Sequence, residues 1–245
     1  MSEAEFARVL EQLAGKTKYV YYHLMGEPLV HPQLPRFLEM AREKGFQSIL
    51  TTNGTLLSAR GEALLDAGLH KISISVHSLE HATDEAVESY LNSIVSFAER
   101  AAARGVIVVF RLWNRGCDEG LNDKVLRLLR TSFSEAWTEN SRSIRMRDKV
   151  YLEYGDRFAW PDRNAPVQGE SVFCYGLRDQ FGVLSDGTVV PCCLDSEGVV
   201  ALGNLFTDEL SDILASERAK AIVEGFSCRR ASEELCRRCA YAQRF

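Results

Sequence analysis

Several things are missing from this 245-residue sequence, and each absence excludes something. No apolar run approaches the ~20 residues that a membrane-spanning helix needs. The first residues, Met1-Ser2-Glu3-Ala4-Glu5-Phe6, show no basic start followed by an apolar stretch, so they do not read as a secretory signal. There is no excess of positive charge: 29 Lys and Arg stand against 34 Asp and Glu, net -5. That balance argues against coating nucleic acid or lying on a membrane surface. No low-complexity tract occurs, and no repeat beyond an alternation of strands and helices. At 46% hydrophobic and 26% charged, the composition is that of an ordinary globular protein. The length supports one large domain, or a medium domain with a small appendage. The expectation is a soluble cytoplasmic protein with neither nucleic acid nor membrane as partner.

Cysteine is scarce early and dense late. None precedes Cys117, and six of the seven fall between 174 and 239. Without a secretion signal a disulfide framework is not expected, and clustered thiols in a reducing compartment point to metal ligands or redox chemistry.

The rest of the chain alternates. Residues 3–14 carry Phe6, Val9, Leu10 and Leu13 at helical spacing. β-branched and aromatic residues predict strands over 18–25, 47–52, 71–77 and 106–113, and less securely over 149–154. Helical patterns intervene at 33–44, 58–67, 84–104 and 121–132, the first three closed by Gly45, Gly68 and Gly105. Such alternation means βαβ units and a parallel sheet. Residues 155–170 hold Pro161, Pro166 and Gly169 and read as a linker. Beyond it, 181–191 predicts a hairpin on an Asp186-Gly187 turn, and 208–223 a helix.

In parallel α/β folds, sites form at the C-terminal ends of the strands. Those ends deliver Gly26-Glu27-Pro28, Thr51-Thr52-Asn53-Gly54, Ser75 with His77, and Arg111 with Trp113 to one rim. Glycine allows close backbone approach to a ligand, and Pro28 biases Glu27 toward an extended backbone. Glu27 suits a ligand ammonium and Arg111 a ligand carboxylate, so together they suit an amino-acid moiety. Taken singly, each is bland. Gly-Glu-Pro and Asn-Gly are common turns, and His23, His31 and His77 are ordinary structural histidines. Their gathering at one rim is the signal. Glu27 and His77 as acid and base of an unrelated (β/α) enzyme is a weaker reading of the same rim.

The tail is more specific. Cys236-Arg237-Arg238-Cys239 is a C-x-x-C pair, and Cys174 and Cys192 flank the expected hairpin. A hairpin brings its ends together, so four thiolates are expected to converge on one centre. Tetrahedral zinc and an iron–sulfur cluster both fit, and spacing does not choose between them. Arg237 and Arg238 are expected to offset thiolate charge. Cys193 and Cys228 stay ambiguous, and Cys117 reads as an incidental small apolar residue.

The strand running into Gly26-Glu27-Pro28, followed by Thr51-Thr52-Asn53-Gly54, resembles the radical S-adenosylmethionine (SAM) family. Cys174, then Asp186-Gly187-Thr188-Val189-Val190-Pro191-Cys192, then Cys236 and Cys239, resembles that family's C-terminal SPASM or twitch extension. The resemblance covers nearly the whole chain. It implies an α/β fold: a partial parallel (β/α)6 barrel, TIM-like but incomplete, over 1–160, with a small cysteine-rich extension over 161–245. It further implies that Gly26, Glu27 and Pro28 meet the methionine amino group of SAM. Asn53, Ser75 and Arg111 would contact its ribose or carboxylate, and Cys174, Cys192, Cys236 and Cys239 would hold one auxiliary 4Fe–4S cluster.

One family element is not found. The C-x-x-x-C-x-x-C motif that binds the SAM-cleaving cluster has no counterpart before Cys117, and the first expected element is the helix that should follow that motif. The expectation is a chain lacking the first strand and cluster loop, with an exposed sheet edge, and inactive in radical generation as it stands. The implied function is a radical SAM/SPASM oxidoreductase that abstracts hydrogen from a peptide or protein substrate, with an electron-donor protein as partner. The alternative is a non-enzymatic iron–sulfur or zinc protein with a vestigial SAM pocket.

Overall fold

A computed structural model describes residues 1–79, 83–141, 143–169 and 171–244; Glu170, the last residue of the expected linker, lies outside the described residues. The elements run in chain order. Helix α1 (Glu3–Leu13) comes first, then β1 (Tyr19–Tyr22), α2 (Leu34–Glu43), β2 (Gln47–Thr52), α3 (Leu57–Asp66), β3 (Lys71–Ser75), α4 (Asp84–Ala103), β4 (Ile107–Arg115) and α5 (Leu121–Ser132). Short strands β5 (Thr138–Glu139) and β6 (Ile144–Arg147) precede β7 (Val150–Asp156). Then come β8 (Gly182–Val183), β9 (Thr188–Val190), β10 (Gly203–Asn204), α6 (Leu210–Ala215), α7 (Glu217–Ser227) and α8 (Glu234–Arg237).

Two compact units divide these elements. One holds Thr17–His23 and Glu27–Arg157; the other holds Met1–Lys16, Leu24–Gly26 and Phe158–Phe245. Among the described residues, no helix is long and apolar enough to cross a membrane.

The first unit is a seven-stranded sheet in the order β1-β2-β3-β4-β7-β6-β5. Pairing is parallel from β1 through β4 to β7, and antiparallel from β7 through β6 to β5. The sheet is therefore mixed rather than wholly parallel, and its pairing is not closed: β1 and β5 each stand at an end. The β5–β6 pair lies in 134–148, where no strand is expected: β5 is two exposed residues, and β6, although Ile144 and Met146 alternate with Arg145 and Arg147, is only four residues long.

Side chains alternate across a strand, so each strand presents two rows. One row holds Leu50, Ile72, Ile74, Val108, Phe110, Leu112, Val150 and Leu152. It packs under Leu38, Leu64, Ile94, Val125 and Leu129 of α2 to α5, forming the main core. The other row carries Thr51, Ser73, Ser75, Arg111, Trp113 and Glu153 beside the buried Ile49 and Val109. On edge strand β1, Tyr19 and Tyr21 are exposed.

In the second unit β10-β9-β8 form a small antiparallel sheet. The expected hairpin is there, Gly182 pairing with Val190 and Val183 with Val189. Gly187 turns it at φ +86°, and a Cβ there would come 2.5 Å from Asn204 Oδ1, so only glycine fits. Asp186 Oδ1 accepts from Thr188 N at 3.0 Å and fixes the turn. The single helix expected over 208–223 is two. Ser216 ends α6, and its hydroxyl then accepts from Ala219 N to start α7.

Candidate functional site

The rim is built at the ends of β1 to β4. Gly26 has φ +80°, a left-handed turn that lets the chain leave β1 and double back. Glu27 follows in extended conformation (φ -115°, ψ 111°), as a residue before proline should. Pro28 opens a short 3-10 turn and has no N–H to cap, so the Glu27 carboxylate reaches Leu29 N instead, at 3.0 Å.

That carboxylate does more. Oε1 also accepts from Thr52 Oγ1 at 2.7 Å, and Oε2 accepts from Asn53 N at 2.7 Å. Glu27 thus ties the loop after β1 to the loop after β2, and both of its oxygens are engaged by protein donors. Asn53 is held from every side: its carbonyl accepts from Tyr90 Oη at 2.7 Å, and its Oδ1 accepts from Thr55 N at 2.9 Å. Arg60 clamps the far side of the Glu27 loop, donating to the carbonyls of Leu29, His31 and Pro32. Sequence reasoning missed Tyr90 and Arg60. Both lie on helices and make contacts far along the chain, which no local pattern signals.

Ser75 pairs in register with Arg111, and Arg111 with Glu153, so the three stand in one row across β3, β4 and β7. Arg111 Nε is 3.6 Å from Glu153 Oε2, both side chains being mostly buried. The guanidinium lies 4.7 Å over the Trp113 ring. His77 Nδ1 sits 3.1 Å from the Arg111 carbonyl and 3.3 Å from Trp113 N, so this histidine is pinned to β4. Burial, helped by the Arg111 charge, pulls the His23 imidazole down to about 4, and it is neutral near pH 7. Glu153 was not singled out in the sequence; its register opposite Arg111 reveals it.

The cysteine group lies in the second unit. The chain from Cys174 to Gln180 runs beside Pro191: Leu177 N donates to the Pro191 carbonyl at 3.1 Å, and Gly176 N donates to Cys174 Sγ at 3.4 Å. Cys192 stands two residues past β9, after Pro191, and Cys236 sits in α8 with Cys239 one turn on, Cys239 N donating to the Cys236 carbonyl. Cys174, Cys236 and Cys239 all pack on one apolar cluster of Val172, Val200, Ile222, Phe226, Ala231, Leu235 and Ala242.

None of the seven cysteines is joined in a disulfide. Burial pushes Cys192 up to about 12, and the charges of Cys193 and Cys174 add to it. Cys236 is raised by burial first, then by Cys192, Cys174 and Cys239. Cys192 and Cys239 therefore each feel Cys174, and Cys236 feels the other three. Yet among the described residues no three His, Cys, Asp or Glu side chains are gathered tightly enough for a single metal ion.

The two arginines of the C-x-x-C are engaged elsewhere. Arg237 donates to the carbonyls of Ala231 and Ser232, and Arg238 to the Ala165 carbonyl and to Glu234. They brace the loops around the thiols. Cys117, expected to be a small apolar residue, is exposed, as is Cys228.

The family profile described as the radical SAM superfamily matches residues 1–114, and one described as an iron–sulfur cluster-binding domain, SPASM, matches 174–240. Among curated proteins, the PqqA peptide cyclase of Xanthomonas oryzae pv. oryzae is 33% identical over 113 residues, 43% of this chain and 30% of that protein. The GTP 3',8-cyclase of Chlorobaculum tepidum is 33% identical over 78 residues, 31% of this chain and 24% of that protein. The matched stretches thus span less than a third of these relatives. Among solved structures, BtrN in complex with AdoMet and 2-DOIA aligns at a TM-score of 0.59 and 19% identity, over 98% of this chain and 80% of that one, which shows a shared fold. The chain belongs to the radical SAM superfamily, and its C-terminal part is that family's SPASM iron–sulfur cluster-binding domain.

Proposed function

We propose that this chain is the SAM-binding and auxiliary-cluster portion of a radical SAM oxidoreductase that modifies a peptide or protein substrate. The observation that carries the reading is the pairing of a strand-end rim clamped by Glu27 with four cysteines gathered in the C-terminal unit, in the order the two domains require. The barrel domain is read as 1–160 and the auxiliary cluster domain as 161–245.

Gly26, Glu27 and Pro28 form the turn that meets the methionine amino group of SAM. Because the Glu27 carboxylate is filled by protein donors, its part is to hold the turn in shape. Asn53, Ser75 and Arg111 contact the ribose or carboxylate. Cys174, Cys192, Cys236 and Cys239 hold the 4Fe–4S cluster as thiolates, and their raised free-thiol values mean that loading releases protons. Bound there, the cluster supplies one-electron chemistry, with a donor protein as electron source.

Residues 1–116 contain no cysteine, so the ligands of a SAM-cleaving cluster are not found there, and no radical generation is assigned to these residues. The peptide substrate class rests on the likeness to PqqA peptide cyclase.

Anaerobic reconstitution tests the reading. About four irons and four sulfides per chain are expected, with SAM binding that is weakened in Glu27→Gln. Stoichiometric zinc without visible absorption, or no SAM binding, would refute it. The absence of early cysteines favours one other reading, a binding-only protein. It predicts SAM binding with no 5'-deoxyadenosine formed even when an external segment supplies the missing cluster motif.

A further inference from the structure

Among the described residues Asp195 is the only acidic or basic one that is buried, at 2% exposed. Burying a carboxylate is costly unless its oxygens are bonded, and an apolar residue would fill the space at less cost if packing were all that mattered. Both oxygens of Asp195 are bonded. Oδ1 accepts from Val199 N at 2.9 Å, and Oδ2 accepts from Val200 N at 2.8 Å. Gly198, at φ +68°, turns the chain back to make this possible. On its other side, Asp195 N donates to the Cys192 carbonyl at 3.4 Å. One carboxylate therefore closes the segment 192–200 on itself.

The two ends of that segment are unlike. Val200 is buried in the small apolar cluster, and Cys174, Cys236 and Cys239 pack on the same cluster. Among the described residues that pack there, Cys192 is absent. Three of the four proposed ligands thus share one apolar bed, and the fourth has to be tied to it. Asp195 makes that tie through Val199 and Val200. The next residue extends it: the Ala201 carbonyl accepts from Arg218 Nη1 at 2.9 Å, and Arg218 forks onto Glu233 at 2.8 and 2.9 Å. Glu233 stands directly before α8, which carries Cys236. Within the segment, the N–H groups of Leu194 and Asp195 act on the Cys192 sulfur and oppose the rise that burial causes.

We propose that Asp195 is a positioning residue of the cluster site: its carboxylate ties Cys192 to the apolar bed that seats the other three thiols. This rests on the auxiliary-cluster reading above and adds to it a residue that no sequence pattern singled out. A carboxylate that only capped its own turn would hold residues 195–200 and leave the Cys192 sulfur indifferent to its removal.

The test uses the full chain, loaded anaerobically with iron and sulfide, and compares wild type with Asp195→Asn, Asp195→Ala and Ile213→Ala. Asparagine keeps one acceptor oxygen and alanine none. Ile213 is buried in the same unit against Gly203, so its truncation loosens the unit without removing a bond of Asp195. Iron loss to a chelator should be slowest in wild type, faster in Asp195→Asn and fastest in Asp195→Ala, by about tenfold or more over wild type. Midpoint potentials separate position from charge. Both Asp195 variants remove the same charge, so a difference between them reports the N–H groups at the Cys192 sulfur. Hydrogen bonds to cluster sulfurs favour the reduced, more negative state, and the Asp195→Ala midpoint should lie below that of Asp195→Asn. Ile213→Ala should melt earlier than wild type and keep its potential. Wild-type iron loss in Asp195→Ala, or equal midpoints in the two Asp195 variants, would overturn the role and leave Asp195 as a cap on its own turn. A shift in Ile213→Ala as large as that in Asp195→Ala would do the same. Where Asp195→Ala takes up no cluster, Asp195→Asn decides: its iron should leave faster than that of Ile213→Ala, and iron leaving no faster would overturn the role. A wild-type chain that takes up no cluster would instead overturn the function proposed above, and this role with it.

Discussion

The sheet-bearing unit and the cysteine-bearing unit solve the same problem, holding side chains in place, by opposite means. In the first, long strands set the register, and one continuous apolar core under four helices fixes it. Ser75, Arg111 and Glu153 are aligned simply because hydrogen-bonded strands put them in one row. In the second, strands of two or three residues and a small apolar cluster carry the thiols on loops. There, burial raises each of the four thiols proposed as ligands. A sheet can position a site before any ligand arrives; a loop cage leaves much of that work to the inorganic centre.

The largest expected effect comes from removing that centre. Metal binding supplies folding free energy outright in small metal-bound domains, about 10 kcal/mol in favourable cases. Cys236→Ser, or chelation of the iron, should separate thermal unfolding into two transitions, with residues 158–245 becoming protease-sensitive first. A single unshifted transition by circular dichroism would break the comparison.

Next in size is the core. Phe110, fully buried in the main cluster, should cost about 3–5 kcal/mol as Phe110→Ala. Leu235→Ala, in the small cluster of the loaded protein, should fall nearer 2 kcal/mol, because a thin core relaxes more readily. Equal losses by denaturant titration would show that the second unit is as self-sufficient as the first.

Acid sharpens the contrast further. His23 has a folded value near 4 against 6.5 when unfolded, because burial and Arg111 disfavour its charged form. The unfolded chain binds more protons in that window, so this contribution is full above pH 6.5 and is lost as pH falls toward 4. It amounts to about 3 kcal/mol at most. His23→Phe should flatten the loss of stability between pH 6.5 and 4; an unchanged slope would assign that loss to carboxylates.

How much of this was legible in the sequence follows from the same contrast. The strands at 47–52 and 71–75 and the helices at 84–103 and 121–132 could be read because periodicity reports burial on a regular element. The β5–β6 pair is too short to be picked out: β5 is two residues, and the alternation of Ile144 and Met146 with two arginines in β6 lasts only four. That a helix stops at Ser216 is visible only when Ser-Glu is read as a new start within a helical run. For the rim, the strand ends could be located, but not what each group does there. The Glu27 carboxylate looks free for a ligand until β2 brings Thr52 and Asn53 against it. For the thiols, residue type and hairpin geometry chose the four candidates, while iron–sulfur over zinc came from the match to an iron–sulfur cluster-binding domain.

The smallest effect tests the clamp itself. Glu27→Gln keeps the shape of the side chain but replaces one acceptor oxygen with an NH2 donor. That group must face either Asn53 N–H or the donors at Leu29 and Thr52, and no orientation serves all three. One buried donor is left unpaired, at a cost of about 1–3 kcal/mol confined to the two loops. Global stability should therefore fall by less than Phe110→Ala takes away, while hydrogen exchange at Leu29 and Asn53 should accelerate and SAM binding weaken. If exchange at those amides is unchanged, the sheet alone holds the rim, and Glu27 is free to meet its ligand directly.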